Sequence, residues 1–132
     1  MTMVGPLKLK AQLFCQNEIA MGPGKADLLE AIDQHGSISA AGRALGMSYR
    51  RTWMLVDTMN RCWREPLVDT AAGGPHGGGA RLSPLGRQVL EHYRALEQTM
   101  IAAVEASPLT ALLEPLRATP KPPAPKPPSR QD

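Results

Sequence analysis

Four consecutive residues, Ser48-Tyr49-Arg50-Arg51, carry the side chains of this sequence best suited to chemistry on a polyanion. A serine in front of a helix accepts a hydrogen bond from the first turn. An arginine fork donates two parallel bonds to a phosphate or to the edge of a guanine. Just ahead, Leu45-Gly46-Met47 reads as a tight turn, with Gly46 supplying positive φ. Before that turn lies a short helical segment from about Ser39 to Leu45, capped by Ser37 or Ser39. Its small residues Ala40, Ala41 and Gly42 stand where two helices must approach closely. Helix, turn and helix, with arginines on the first turn of the second helix, is the way a helix-turn-helix delivers its recognition helix to the major groove.

A second constellation lies at residues 66–83, PLVDTAAGGPHGGGARLS. Leu67 to Thr70 and Ala80 to Leu82 read as short strands joined by a glycine-rich wing. Gly74 and Gly79 have the glycine spacing of a phosphate-cradling loop, but Ala80-Arg81 follows in place of Lys-Ser/Thr and no long helix starts there, so nucleotide binding is excluded. The candidate DNA-contacting residues are therefore Ser37, Ser39, Ser48, Tyr49, Arg50, Arg51, Met54, His76, Gly77, Gly78 and Arg81. The glycines let backbone approach a sugar-phosphate edge, with charge from Arg81 and help from His76. The fold class that follows is mainly α with a small β wing: a winged helix-turn-helix plus a long C-terminal dimerisation helix.

The elements that must hold these residues are legible in order. Leu7 to Cys15 alternates apolar and polar residues, which predicts one half-buried strand. A helix follows from about Pro23 to His35, with Leu28, Leu29, Ala31 and Ile32 as its apolar face and Gly36 as a left-handed stop. In the second helix Ala41, Ala44 and Leu45 are expected inside. The recognition helix should run from about Tyr49 to Trp63, with Thr52, Trp53, Leu55, Val56, Met59 and Trp63 inward and Tyr49, Arg50, Arg51, Met54 and Asp57 outward. Both tryptophans are read as core anchors.

Ser83-Pro84 opens a long helix to about Ala106, with Ser83 as cap. Leu85, Val89, Tyr93, Leu96, Met100 and Val104 form a stripe, widened by Leu90 and Ile101. So much apolar surface calls for a second copy of the chain, and the stripe is the expected dimerisation surface. A short helix from Leu109 to Arg117 and a proline-rich tail from Ala118 to Asp132 complete the chain; the tail is expected to be disordered or polyproline-like. The organisation predicted is 1–83 for DNA binding, 84–117 for dimerisation and 118–132 for the tail.

The 132 residues carry a net charge of +3 and a pI near 9.1, a mild excess of base. Its distribution says more. Arg43, Arg50, Arg51, Arg61 and Arg64 face a single acid, Asp57, within one segment. Cys15 and Cys62 show no metal-ligand spacing, and His35, His76 and His92 sit on three different elements, so a metal or redox sensor is disfavoured. The N-terminus lacks a secretory apolar run and no stretch is long enough to span a membrane, which points to the cytoplasm and reduced thiols. No paired carboxylates or nucleophile-base arrangement suggests an enzyme. The competing class is a winged-helix module that binds a protein through its exposed face or its tail.

GPGKADLLEAIDQHGSISAAGRALGMSYRRTW, the glycine-rich GGPHGGGA and LSPLGRQVLEHYR together resemble the N-terminal DNA-binding domain of the ModE-type molybdate-responsive transcription regulators. That domain is a winged helix loosely related to the one in LysR-type regulators, and the resemblance covers about residues 7 to 106. It implies a homodimer joined through the first strand and the long C-terminal helix. A two-fold dimer of the long helix sets two recognition helices on one face of double-stranded DNA, so the expected operator is an inverted repeat. Full-length members carry tandem oxyanion-binding domains after the long helix. Here the segment Leu109 to Arg117 and the proline tail follow instead, so molybdate sensing is not carried over by the resemblance and no cofactor is expected.

Overall fold

The segment expected to be one strand over Leu7 to Cys15 is two strands belonging to two hairpins. In the computed structural model, which describes residues 2–71 and 78–127, β1 (Thr2–Val4) pairs with β2 (Leu7–Leu9), and β3 (Leu13–Cys15) pairs with β4 (Glu18–Met21), both antiparallel. The first hairpin turns at Gly5-Pro6, with Gly5 at φ +57°, and the second at Gln16, also left-handed at φ +53°. Apolar-polar alternation runs through both strands, so periodicity could not reveal the break. The connecting residues turn back onto the body of the protein, where the Tyr93 hydroxyl donates to the Ala11 carbonyl at 2.7 Å. The residues of β2 alternate between half-buried and exposed as expected, but those of β3 are all exposed.

The helices follow: α1 (Pro23–His35), α2 (Ile38–Ala44), α3 (Tyr49–Cys62), α4 (Pro84–Glu105) and the short α5 (Leu109–Leu113). Between α3 and α4 a third antiparallel hairpin joins β5 (Val68–Thr70) to β6 (Ala80–Leu82), in register Val68 to Leu82 and Thr70 to Ala80. The described residues are rich in α-helix, with three small two-stranded sheets among them. No described helix is long and apolar enough to cross a membrane. Pro115, which has no N–H to donate, falls just past α5, which is why that helix is shorter than expected; the described tail to residue 127 has no helix or strand.

Local signals set the helix ends. Gly36 closes α1 at φ +73°, its N–H donating to the Ile32 carbonyl at 2.8 Å. Ser37 caps α2, accepting from Ala40 N at 3.0 Å, and Ser48 caps α3, accepting from Arg51 N at 3.1 Å. The Ser83 hydroxyl caps α4 by accepting from Gly86 N and also donates to the Pro66 carbonyl at 2.6 Å, tying the helix start to the segment that leads into β5.

The core joins Leu28, Leu29 and Ile32 of α1 to Val56 and Met59 of α3, Leu67, Val68 and Leu82 of the third hairpin, and Val89 and Tyr93 of α4. Asn60 locks this arrangement in a way the sequence did not announce. Its Oδ1 accepts from Leu67 N and Val68 N, and its Nδ2 donates to Val68 O, so one amide side chain satisfies the start of β5. Arg94 of α4 donates to Asp27 and Glu30 of α1 and to the buried Glu97, with Thr2 donating to the same carboxylate group, which ties β1, α1 and α4 together. These three carboxylates hold the Arg94 guanidinium charged well above its ordinary range.

Three inward assignments are corrected. Ala44 and Leu45 at the end of α2 are exposed, because that helix meets α3 through Ala41 and Gly42. Trp53 is 50% exposed. The covered stripe of α3 is Thr52, Val56 and Met59, at steps of four and three, and residue 53 stands one helical step to the side of it. Trp63, by contrast, is half-buried and anchored, its indole N–H donating to the Ala20 carbonyl at 3.2 Å.

Candidate nucleic-acid interface

The approach of α2 to α3 decides how the arginines are presented. A Cβ at Gly42 would lie 2.3 Å from Thr52 Oγ1, so the absent side chain is what lets the helices touch. Thr52 is fully buried there and donates to the Ser48 carbonyl at 2.7 Å. The turn between them is built from Gly46 at φ +70° and a Met47 N–H that donates to the Gly42 carbonyl at 2.8 Å. This places the Ser48 cap at the surface, and Tyr49, Arg50, Arg51 and Met54 follow it exposed, Tyr49 being 61% accessible.

Charge separates the arginines into two groups. Arg61 is paired with Asp57 at 2.9 Å, one turn away, which holds its guanidinium above the ordinary range. Arg87 is paired with Asp33. Among the described residues no carboxylate pairs with Arg43, Arg50, Arg51 or Arg81. Arg43 donates instead to the Ser39 hydroxyl at 2.9 Å, which aligns it on the exposed side of α2. Lys25 of α1 extends the patch. Burial pushes its ammonium down, and the nearby Arg51 adds to this against Cys62 and Glu18.

The β5–β6 hairpin stands beside α3. Ala80 N donates to the Gly36 carbonyl at 2.8 Å, so the hairpin is pinned to the link between α1 and α2. Between hairpin and helix lies a cleft of about 550 Å³, reached by Ser37, Ser39, Arg43, Tyr49, Trp53 and Gly78 among others. It brings together Ser37, Ser39, Tyr49 and Gly78 from the sequence-derived set and adds Arg43 and Trp53. Arg43 had a readable signal, four residues after Ser39 on a helix; Trp53 had none, since its apolar character pointed inward. Arg50 and Arg51 do not line this cleft, and neither does Arg81. Arg81 lies across from Asp69 and lines a second concavity of about 430 Å³ with Gly36 and Asp69. His76 and Gly77 lie outside the described residues.

The α4 stripe divides. Leu85, Val89 and Tyr93 pack into the chain's own core, whereas Leu96 is 41% exposed and Met100 and Val104 are half-buried. Leu96 lines an apolar hollow of about 240 Å³ with Leu13, Met21, Trp63, Val89, His92 and Tyr93. Leu13 and Phe14 of β3 are exposed at 46% and 62%, and Leu13 and Leu96 line the same hollow. The cysteines, distant in sequence, also meet. Burial, then the adjoining Cys15 thiol, push the Cys62 thiol above the usual range.

No family model matches this chain. Several curated proteins do, and three of them show the range. The molybdenum transport protein ModE of Azotobacter vinelandii is 45% identical over 78 residues, 59% of this chain and 29% of that protein. The DNA-binding transcriptional dual regulator ModE of Escherichia coli K12 is 34% identical over 113 residues, 81% of this chain and 41% of its own. The chain is a relative of the ModE-type regulators. A molybdenum-pterin-binding protein, MopB of Rhodobacter capsulatus, is 46% identical over 77 residues, 58% of this chain and 28% of that protein. The chain spans less than half the length of each of these relatives, whose names speak of regulation and molybdenum and not of catalysis.

Proposed function

We propose that this chain is a DNA-binding transcription regulator of the winged helix-turn-helix type. In this reading α3 enters the major groove, the β5–β6 hairpin serves as the wing, and two copies bind an inverted-repeat operator. The observation that carries it is the Ser48-capped start of α3, which presents Tyr49, Arg50 and Arg51 to solvent with no carboxylate paired to either arginine among the described residues. Unpaired guanidiniums on an exposed helix start, with Arg43 one helix away, are placed to exchange counterions for phosphates. The dimer is supported by the exposed apolar group of Leu13, Phe14 and Leu96 continuing to Met100 and Val104, surface that one copy leaves in water. DNA binding is in the name of a relative 34% identical to the chain, and transcriptional regulation in the names of relatives 33–37% identical to it. No oxyanion is required in this reading, because every group it uses belongs to the chain.

Genomic binding-site mapping followed by electrophoretic retention on the recovered duplexes tests the proposal. Retention should fall with added salt, with a log-log slope of about 0.9 per phosphate neutralised. Failure to retain any duplex at low salt would overturn it. The second reading, a winged-helix module that binds a protein, draws on the exposed Leu45, Trp53 and Met54. It predicts a salt-insensitive protein partner and no duplex retention.

A further inference from the structure

We propose that the cleft between α3 and the β5–β6 hairpin seats the sugar-phosphate of one DNA strand, with Trp53 as a positioning residue. The proposal rests on the DNA-binding reading above and goes beyond it in assigning this cleft and this side chain. Ser39, Arg43, Tyr49, Trp53 and Thr70 line the cleft, and each can donate a hydrogen bond from its side chain. No carboxylate is among the described residues that line it. A concave surface of donors without an acidic member favours an anion.

The indole of Trp53 makes the assignment specific. A tryptophan half in water on a helix exposes apolar surface at a cost. The other tryptophan, Trp63, has its N–H satisfied by the Ala20 carbonyl, whereas that of Trp53 has no acceptor among the described residues. A deoxyribose against the ring and a phosphate oxygen at the N–H would satisfy both halves of this side chain. The geometry agrees. With α3 in the major groove and the hairpin outside it, the strand bordering that groove must pass between the two walls of the cleft. Arg43 of α2, aligned by Ser39, also lines the cleft and can meet the phosphate charge.

The test pairs Trp53→Ala and Trp53→Phe with a duplex selected by the unmutated chain from a random-sequence pool, its phosphates replaced one at a time by neutral methylphosphonates. Trp53→Ala should weaken binding roughly tenfold on every duplex without reordering sequence preference. One methylphosphonate per half-site should weaken the unmutated chain by a similar factor and cost the variant nothing further. Trp53→Phe, which keeps an aromatic ring and disturbs the helix least, should show the same loss of coupling to that phosphate. Additive losses, full affinity in both variants, or a changed base preference would overturn the seat while leaving the DNA-binding reading intact. If the unmutated chain selects no duplex at all, both fall together.

Discussion

Replacing Gly42 by alanine should loosen the joint on which the exposed arginines depend. A helix interior ordinarily gains about 1 kcal/mol from glycine to alanine. Here the new Cβ would stand 2.3 Å from Thr52 Oγ1, 3.1 Å from its Cβ and 3.2 Å from its Cγ2. Thr52 is fully buried and spends its hydroxyl on the Ser48 carbonyl at 2.7 Å, so it has little freedom to yield. Overpacking costs about 1–3 kcal/mol, and a contact this short belongs at the upper end. Losing the threonine bond adds about 1 kcal/mol. Set against the propensity gain, the net is a destabilisation of about 2–3 kcal/mol. With a urea dependence near 2 kcal/mol per molar, the unfolding midpoint should drop by about 1 M. Thr52→Ala removes Oγ1 and Cγ2, so adding it to Gly42→Ala should cost less than the two separate losses, with a coupling of about 1 kcal/mol or more. The assay is urea unfolding of all four proteins followed by circular dichroism. A Gly42→Ala chain as stable as the parent, or strict additivity, would refute the close-contact argument.

Replacing Arg50 or Arg51 by alanine, whichever reads a base, should cost about 1–3 kcal/mol of operator affinity and relax preference at one position; full affinity in a folded double-alanine variant would remove α3 as the reader. Arg81→Ala should weaken binding to all sequences alike and lower the salt slope by roughly one unit, measured by retention at several salt concentrations. Glutamates at Leu96 and Met100 together should yield monomers by light scattering that bind the operator far more weakly, whereas an unmutated chain that is monomeric at micromolar concentration would exclude the dimer. The Cys62 thiol, pushed up by burial and by Cys15, should stay protonated at neutral pH; iodoacetamide should label it slowly until the pH passes the ordinary thiol range, and quickly once the chain is unfolded. Rapid labelling in the native chain at neutral pH would contradict that environment.

What the sequence determined by itself were the features whose cause lies within a few residues. Ser37, Ser48 and Ser83 cap their helices by bonds to a backbone N–H three residues on, and Gly36 and Gly46 take positive φ where the chain must stop or turn. Those signals place α1 to α4 almost to the residue and put Tyr49, Arg50 and Arg51 on an exposed first turn. Tertiary structure decided which of two neighbouring helical stripes was covered. Trp53 and Thr52 are adjacent in sequence, but α2 meets α3 through Gly42, which fits against threonine and leaves the indole outside. It also divided α4, since the core ends near Tyr93 and Glu97 turns to Arg94, leaving Leu96 uncovered. The break within residues 7–15, the meeting of Cys15 with Cys62 and the Asn60 clasp on β5 belong to the same class. Each joins groups far apart along the chain or depends on where a distant element packs, and periodicity along one segment carries no record of the surface that will come to lie against it.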